Sequence, residues 1–157
     1  MIATYFVLDS FGVFGGAAGE RQPDLGREHI AEGQSFAGYA PHPATTGPHW
    51  PSPARWGVYA TQFADERTVH NLEHGGILIV YNGLSQADVE RLSRLRSSYP
   101  RGKWPDVKIL IEPYRDVPLG TIVLAAWAWL ERLNAYDEQA IQQFIQAHMD
   151  KCCESLP

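Results

Sequence analysis

Ile77-Leu78-Ile79-Val80-Tyr81-Asn82-Gly83-Leu84-Ser85 decides the fold class of this chain. Five apolar, largely β-branched residues closed by Asn-Gly predict a buried strand with a turn behind it. Ser85 and Asp88 then form a capping-box pattern. Val89, Leu92, Leu95 and Tyr99 recur at near-helical spacing, with Glu90, Arg91 and Arg94 on the other side. Residues 85–99 are therefore predicted to form an amphipathic helix. Further on, Val107 to Ile111 reads as a second short strand ending at Glu112-Pro113. Thr121 to Trp129 reads as a strand that gives way to a short helix near Glu131. Asp137 caps a last helix in which Ile141, Phe144, Ile145 and His148 share one face.

Working upstream, Trp56 to Ala60 is strand-like and Asp65-Glu66-Arg67 reads as a solvated turn. Residues 15–56 are rich in Gly, Pro, Ala, Ser, Thr and His and carry no sustained period. So long an irregular segment in a compact domain is uncommon unless it is functional or disordered. The proline-stiffened runs Pro41-His42-Pro43 and Thr46 to Pro53, with their aromatics, point to an ordered loop packed on the domain. The whole predicts an α+β fold: a small mixed or antiparallel sheet with two helices on one face and a long ordered N-terminal loop segment.

A chain of 157 residues with 45% hydrophobic and 20% charged composition suits one globular domain, expected over residues 21–150. Residues 151–157 form a C-terminal tail. Residues 1–20 are expected to be an arm or the remnant of a trimmed membrane anchor, because Ile2 to Gly19 is largely apolar but broken by Asp9 and glycines. A first strand over Ile2 to Leu8 is the other reading of that segment. The net charge of -5 and the lack of any Lys/Arg run argue against a nucleic-acid partner. The two cysteines, Cys152 and Cys153, are adjacent; neighbours rarely bridge to each other, and no disulfide framework follows from them.

The chemistry-bearing residues cluster. Five of the six histidines lie between His29 and His74. His70 and His74 sit four apart, which places them on one side of either a helix or a strand. Imidazole suits copper, zinc, iron and nickel. His49, braced between Pro48 and Trp50, is the natural third ligand, because a stiff loop loses less entropy on coordination, and His29 is the next. Glu73 reads as an oxygen ligand or as a partner behind the ligands, and the second or a structural role is the expected one, since in a strand it would point sideways or away from His74. The string His70 to His74 also fits H-x-x-E-H of zinc peptidases, but Gly75 and Gly76 are expected to stop any helix there within a turn. His42, flanked by prolines, is expected to be solvated. His148 is a boundary residue by default; with Met149, Cys152 and Cys153 it forms a possible second, soft-metal site.

Four segments carry a resemblance: Gly26-Arg27-Glu28-His29, Thr45-Thr46-Gly47-Pro48-His49-Trp50, Trp56-Gly57-Val58-Tyr59 and Val69-His70-Asn71-Leu72-Glu73-His74-Gly75-Gly76. They resemble an uncharacterised bacterial domain-of-unknown-function family whose pattern runs G-R-x-H, P-P-T-S-G-P-H-[WY], W-G-x-Y and V-H-N-L-E-H-G-G. The likeness covers roughly residues 25–147. This chain departs from it at Pro43-Ala44-Thr45-Thr46 and at Cys152-Cys153-Glu154. The resemblance implies an exported or membrane-anchored protein, hence an extracytoplasmic location, and implies no activity.

Three functions follow as expectations. The first is a metal-binding envelope protein with His70, His74, His49 and His29 as ligands, copper first and zinc second. The second is a metal-dependent hydrolase or oxidoreductase with Glu73 as base, beside a pocket lined by Trp50 and Tyr59. The third is a non-catalytic interaction module whose histidines stitch the loop to the sheet.

Overall fold

The computed structural model describes residues 18–101, 103–154 and 156, so nearly all of the Ile2 to Gly19 segment lies outside the described residues. Among the described residues, no helix is long and apolar enough to cross a membrane. The elements in chain order are β1 (Glu20–Arg21), β2 (Gly57–Val58), α1 (Asp65–Glu73), β3 (Ile77–Tyr81), α2 (Gln86–Ser98), β4 (Ile109–Pro113), β5 (Ile122–Ala126), β6 (Trp129–Leu133) and α3 (Glu138–His148). The fold is α+β, and the strands form one mixed sheet in the order β1-β6-β5-β3-β4-β2. β4 runs parallel to both β2 and β3, whereas β5 is antiparallel to β3 and β6.

The apolar runs of β3, β4 and β5 show no in/out alternation because both sheet faces are covered. Ile77, Ile79, Ile109, Ile111, Ile122 and Leu124 pack on one face against Leu92 and Leu95 of α2 and Ile141, Phe144 and Ile145 of α3. Leu78, Val80, Leu110, Val123 and Ala125 pack on the other against Val69 and Leu72 of α1 and against Tyr39, Ala44 and Ala54 of the loop segment. The two helices expected on one face are there. A third lies on the opposite face, and it carries the histidine pair.

Two local expectations are corrected. Asp65-Glu66-Arg67 is not a solvated turn but the first turn of α1, with Glu66 only 8% exposed. The residues near Glu131 form β6, not a helix. β5 returns to β6 through Trp127 and Ala128 alone, and Ala128 takes a left-handed φ of 59°. With no Gly, Asn or Asp to mark it, that hairpin is invisible in the sequence. The helix caps match expectation: Ser85 accepts from the Asp88 amide at 3.1 Å, and Asp137 from the Ala140 amide at 3.0 Å.

Candidate metal centre

α1 lacks an apolar stripe, since only Val69 and Leu72 are hydrophobic, yet residues Thr68 to Glu73 are all buried. Its acidic first turn, Asp65 and Glu66, complements the positive end of the helix dipole. Tertiary bonds hold the rest. The Asn71 side chain accepts from the Ala54 amide at 2.9 Å and donates to the Ala54 carbonyl at 2.8 Å, tying the proline-rich loop to the helix. The glycines that follow are needed for close approach. At Gly75 φ is +78°, and a Cβ there would lie 2.5 Å from the Cys152 carbonyl oxygen; at Gly76 one would lie 2.2 Å from the Trp56 ring.

The loop supplies its histidines by a short parallel pairing. The His49 amide donates to the Glu28 carbonyl and the Ile30 amide to the His49 carbonyl, both at 2.9 Å, which sets His29 and His49 side by side. Their rings lie 4.9 Å apart edge to face, and each is about 5 Å from the ring of His70. Thr46 accepts from the Leu25 amide at 2.9 Å, and the Tyr39 hydroxyl donates to the Pro48 carbonyl, fixing the two arms of the loop.

The result is a group in which His29, His49, His70 and Glu73 each offer one donor atom, all within 4.8 Å of one another. His29 is exposed; the other three are buried. Donors on opposite sides of one ion stand about 4.2 Å apart at bond lengths of about 2.1 Å, so the group is slightly wider than a closed coordination sphere. Two of the rings are fixed by backbone carbonyls. His49 Nδ1 donates to the Gly47 carbonyl at 2.8 Å, and His70 Nδ1 donates to the Trp50 carbonyl at 2.6 Å. A carbonyl only accepts, so in the neutral rings the proton sits on Nδ1 and Nε2 presents its lone pair inward. Burial, helped by the neighbouring His74, His49 and His29, holds the His70 imidazole below its usual basicity despite the Trp50 bond, which favours the neutral ligand form. His49 Nε2 stands 3.0 Å from Glu73 Oε2, and His70 Nε2 stands 3.0 Å from His74 Nε2.

Glu73 and His74 exchange the positions expected of them. Because α1 is a helix, residue i+3 shares the face of His70, and Glu73 enters the donor group. His74 is the C-cap residue and stands beside the group, touching it through His70. Arg27, which sequence reasoning missed although it lies in the G-R-x-H segment, brings Nε to 3.7 Å from Glu73 Oε1. The helix also outlasts the single turn expected for it, but it ends at Glu73, so it is not the sustained helix of a peptidase.

The remaining candidates do not join the group. His148 donates from Nε2 to the Ala18 carbonyl at 2.6 Å and packs between Trp129 and Phe144. Met149 packs into the α2/α3 side of the core. Cys152 and Cys153 are joined in a disulfide, contrary to expectation, and Cys152 packs against the opposite side of the core. His148 and Cys152 line one small cavity, but the His148 Nε2 is spent on the Ala18 carbonyl and the two sulfurs on each other, so no free soft-donor set stands there among the described residues. Nor is His42 merely solvated, because its Nδ1 lies 3.2 Å from Asp65 Oδ2. Trp50 spends its indole N–H on the Gln34 carbonyl at 2.7 Å, and the Tyr59 hydroxyl donates to the Arg55 carbonyl at 2.7 Å.

No curated protein and no solved structure matches this chain. One family model does, over residues 29–154, a span that holds all four donors and the C-terminal segment up to Glu154. The chain belongs to the family described as "Protein of unknown function (DUF3105)".

Proposed function

We propose that this chain is a metal-binding protein of the cell envelope, holding one divalent first-row ion between His29, His49, His70 and Glu73. The observation that carries the proposal is the pairing of buried acceptors. In a neutral ring with its proton on Nδ1, His49 Nε2 sets a lone pair against the Glu73 carboxylate at 3.0 Å, with both side chains sealed from water. Such a contact calls for a positive charge between the two atoms, which a metal ion bound to both, or a second proton on His49, supplies. Three imidazole nitrogens and one carboxylate oxygen suit Cu(II) and Zn(II), with Cu(II) the tighter by the general affinity order of divalent ions. No sulfur donor stands in the group, so nothing there selects Cu(I). The envelope location rests only on the sequence resemblance, which implies an exported or membrane-anchored protein.

The test is elemental analysis of the purified chain after loading with Zn(II) or Cu(II) and exhaustive dialysis. About one equivalent per chain is the expected result, with a rise in melting temperature, because an ion that binds only the folded state stabilises it. Less than a tenth of an equivalent, with no shift in melting, overturns the proposal and leaves the histidines as ties between loop and helix.

A further inference from the structure

The inner donors are closed to bulk water: His49 is 0%, Glu73 3% and His70 5% exposed. A hydrated cation must reach them through a side chain that spans inside and outside. His29 is half exposed, but Arg27 stands next to it, also half exposed, with its positive charge 3.7 Å from Glu73 Oε1. An approaching cation is repelled on that side. His74 offers the other route. Its Nε2 is 3.0 Å from His70 Nε2 and 3.9 Å from Glu154 Oε2, and the Glu154 carboxylate is 41% exposed.

We infer that His74 and Glu154 form an outer, exchangeable site for a hydrated divalent cation, which passes the ion to His70. The inference rests on the inner group being a metal centre. The tail that carries Glu154 is held there by design of the backbone. The Glu73 carbonyl accepts the amides of both Cys153 and Glu154 at 3.1 Å, and the Gly75 carbonyl accepts the Asp150 amide at 2.8 Å. Gly75 has no Cβ to collide with the Cys152 carbonyl. Buried Lys108 ties the same corner together, with Nζ 2.7 Å from the His74 carbonyl and 2.8 Å from Asp150 Oδ1. Thus the residue whose carboxylate serves the inner group also fixes, through its carbonyl, the carboxylate of the outer one.

The chemistry is stepwise ligand exchange without change of oxidation state. The proton that His74 Nε2 donates to His70 Nε2 is released to water as the ion arrives, and Glu154 and the freed His74 Nε2 each displace one water from the hydrated ion. His70 Nε2 then displaces another, and Glu154 lets go as the inner donors close. Two nitrogens about 3 Å apart are spaced as neighbours within a single coordination sphere at bond lengths of about 2.1 Å, so an ion on His74 is already within reach of His70. A negative outer carboxylate also raises the local concentration of cations.

The experiment uses the full chain and Co(II) as probe, following the visible absorption of the bound ion in stopped flow and its withdrawal by a chelator. Glu154→Gln, nearly isosteric at a half-exposed position, is expected to slow uptake and withdrawal alike by about tenfold, with the effect shrinking as salt is raised. Glu90→Gln on the exposed face of α2 removes the same charge elsewhere and serves as the control, leaving both rates unchanged. Unaltered rates in Glu154→Gln overturn the inference, as does loss of the bound ion without a change in uptake rate, which would make Glu154 a permanent ligand. A wild-type chain that takes up no Co(II), Zn(II) or Cu(II) removes the inner centre itself, a separate outcome.

Discussion

His49 Nε2 and Glu73 Oε2 face each other at 3.0 Å inside the protein, one from a proline-braced loop and the other from a helix 24 positions later. Glu73→Gln replaces the charged acceptor with an amide that donates to Nε2. The variant is expected to fold at least as stably as the metal-free wild type while binding Zn(II) at least about 10–100-fold more weakly, the range seen even for partners behind the ligands. Competition against a chelating dye measures the affinity and thermal melting the stability. Undiminished affinity would place the ion elsewhere.

Asn71 is the joint between helix and loop. Asn71→Ala leaves the Ala54 amide and carbonyl without their side-chain partner in a buried place, at a cost of about 1–3 kcal/mol for each group left unpaired. Denaturant melts should show a midpoint shift of that order. Because His49 and Trp50 precede this joint closely, metal affinity should fall with it.

Gly76→Ala is expected to be among the most damaging single changes. Its Cβ would sit 2.2 Å from the Trp56 ring and 2.8 Å from the Asn71 carbonyl oxygen, so the strand and helix must separate. Overpacking of this kind costs about 1–3 kcal/mol or more. A melting temperature within a degree of wild type would show that Trp56 yields freely.

Glu112 should make stability depend on pH. It is fully buried, with Oε1 unpartnered and Oε2 accepting from the Phe63 amide at 2.7 Å. Burial raises its pKa from the ordinary 4.5 to about 8, with nearby Asp65 adding to the rise against the Phe63 bond. The folded chain therefore holds a proton that the unfolded chain releases above pH 4.5. Stability contributed by the protonated acid is present below that value and is lost as pH rises toward 8, by an amount on the order of a few kcal/mol. Glu112→Gln should flatten this slope in urea melts taken between pH 5 and 9. A slope of the same size in the variant would assign it to other groups.

Ala128 holds a left-handed φ of 59° in the β5–β6 hairpin. Gly is free of the steric cost there, about 1–2 kcal/mol for an L-residue. Its greater unfolded-state entropy takes back about 0.4–1 kcal/mol, so Ala128→Gly should be neutral to slightly stabilising. A clear loss of stability would mean that the Ala128 methyl matters more to the core than the backbone strain.

The sequence by itself determined the parts whose signals are local. The apolar run at Ile77–Tyr81 had to be a buried strand, Ser85 and Asp137 had to open helices, and the faces of those helices followed from spacing alone. It also marked His29, His49 and His70 as candidate donors, because five of the six histidines gather between residues 29 and 74. Tertiary structure decided the rest. α1 could not be read because its buried face is largely polar: His70, Asn71 and Glu73 are held by distant partners, so no sustained hydrophobic period exists to find. The roles of Glu73 and His74 turned on that helix, since a period of two sends Glu73 away from His70 and a period of 3.6 brings it alongside. The meeting of His29 and His49 with α1, and of Glu154 with His74, joins segments far apart in the chain. Such contacts are set by how the loop and the tail pack onto the sheet, and composition and periodicity, which describe neighbours along the chain, carry no trace of them.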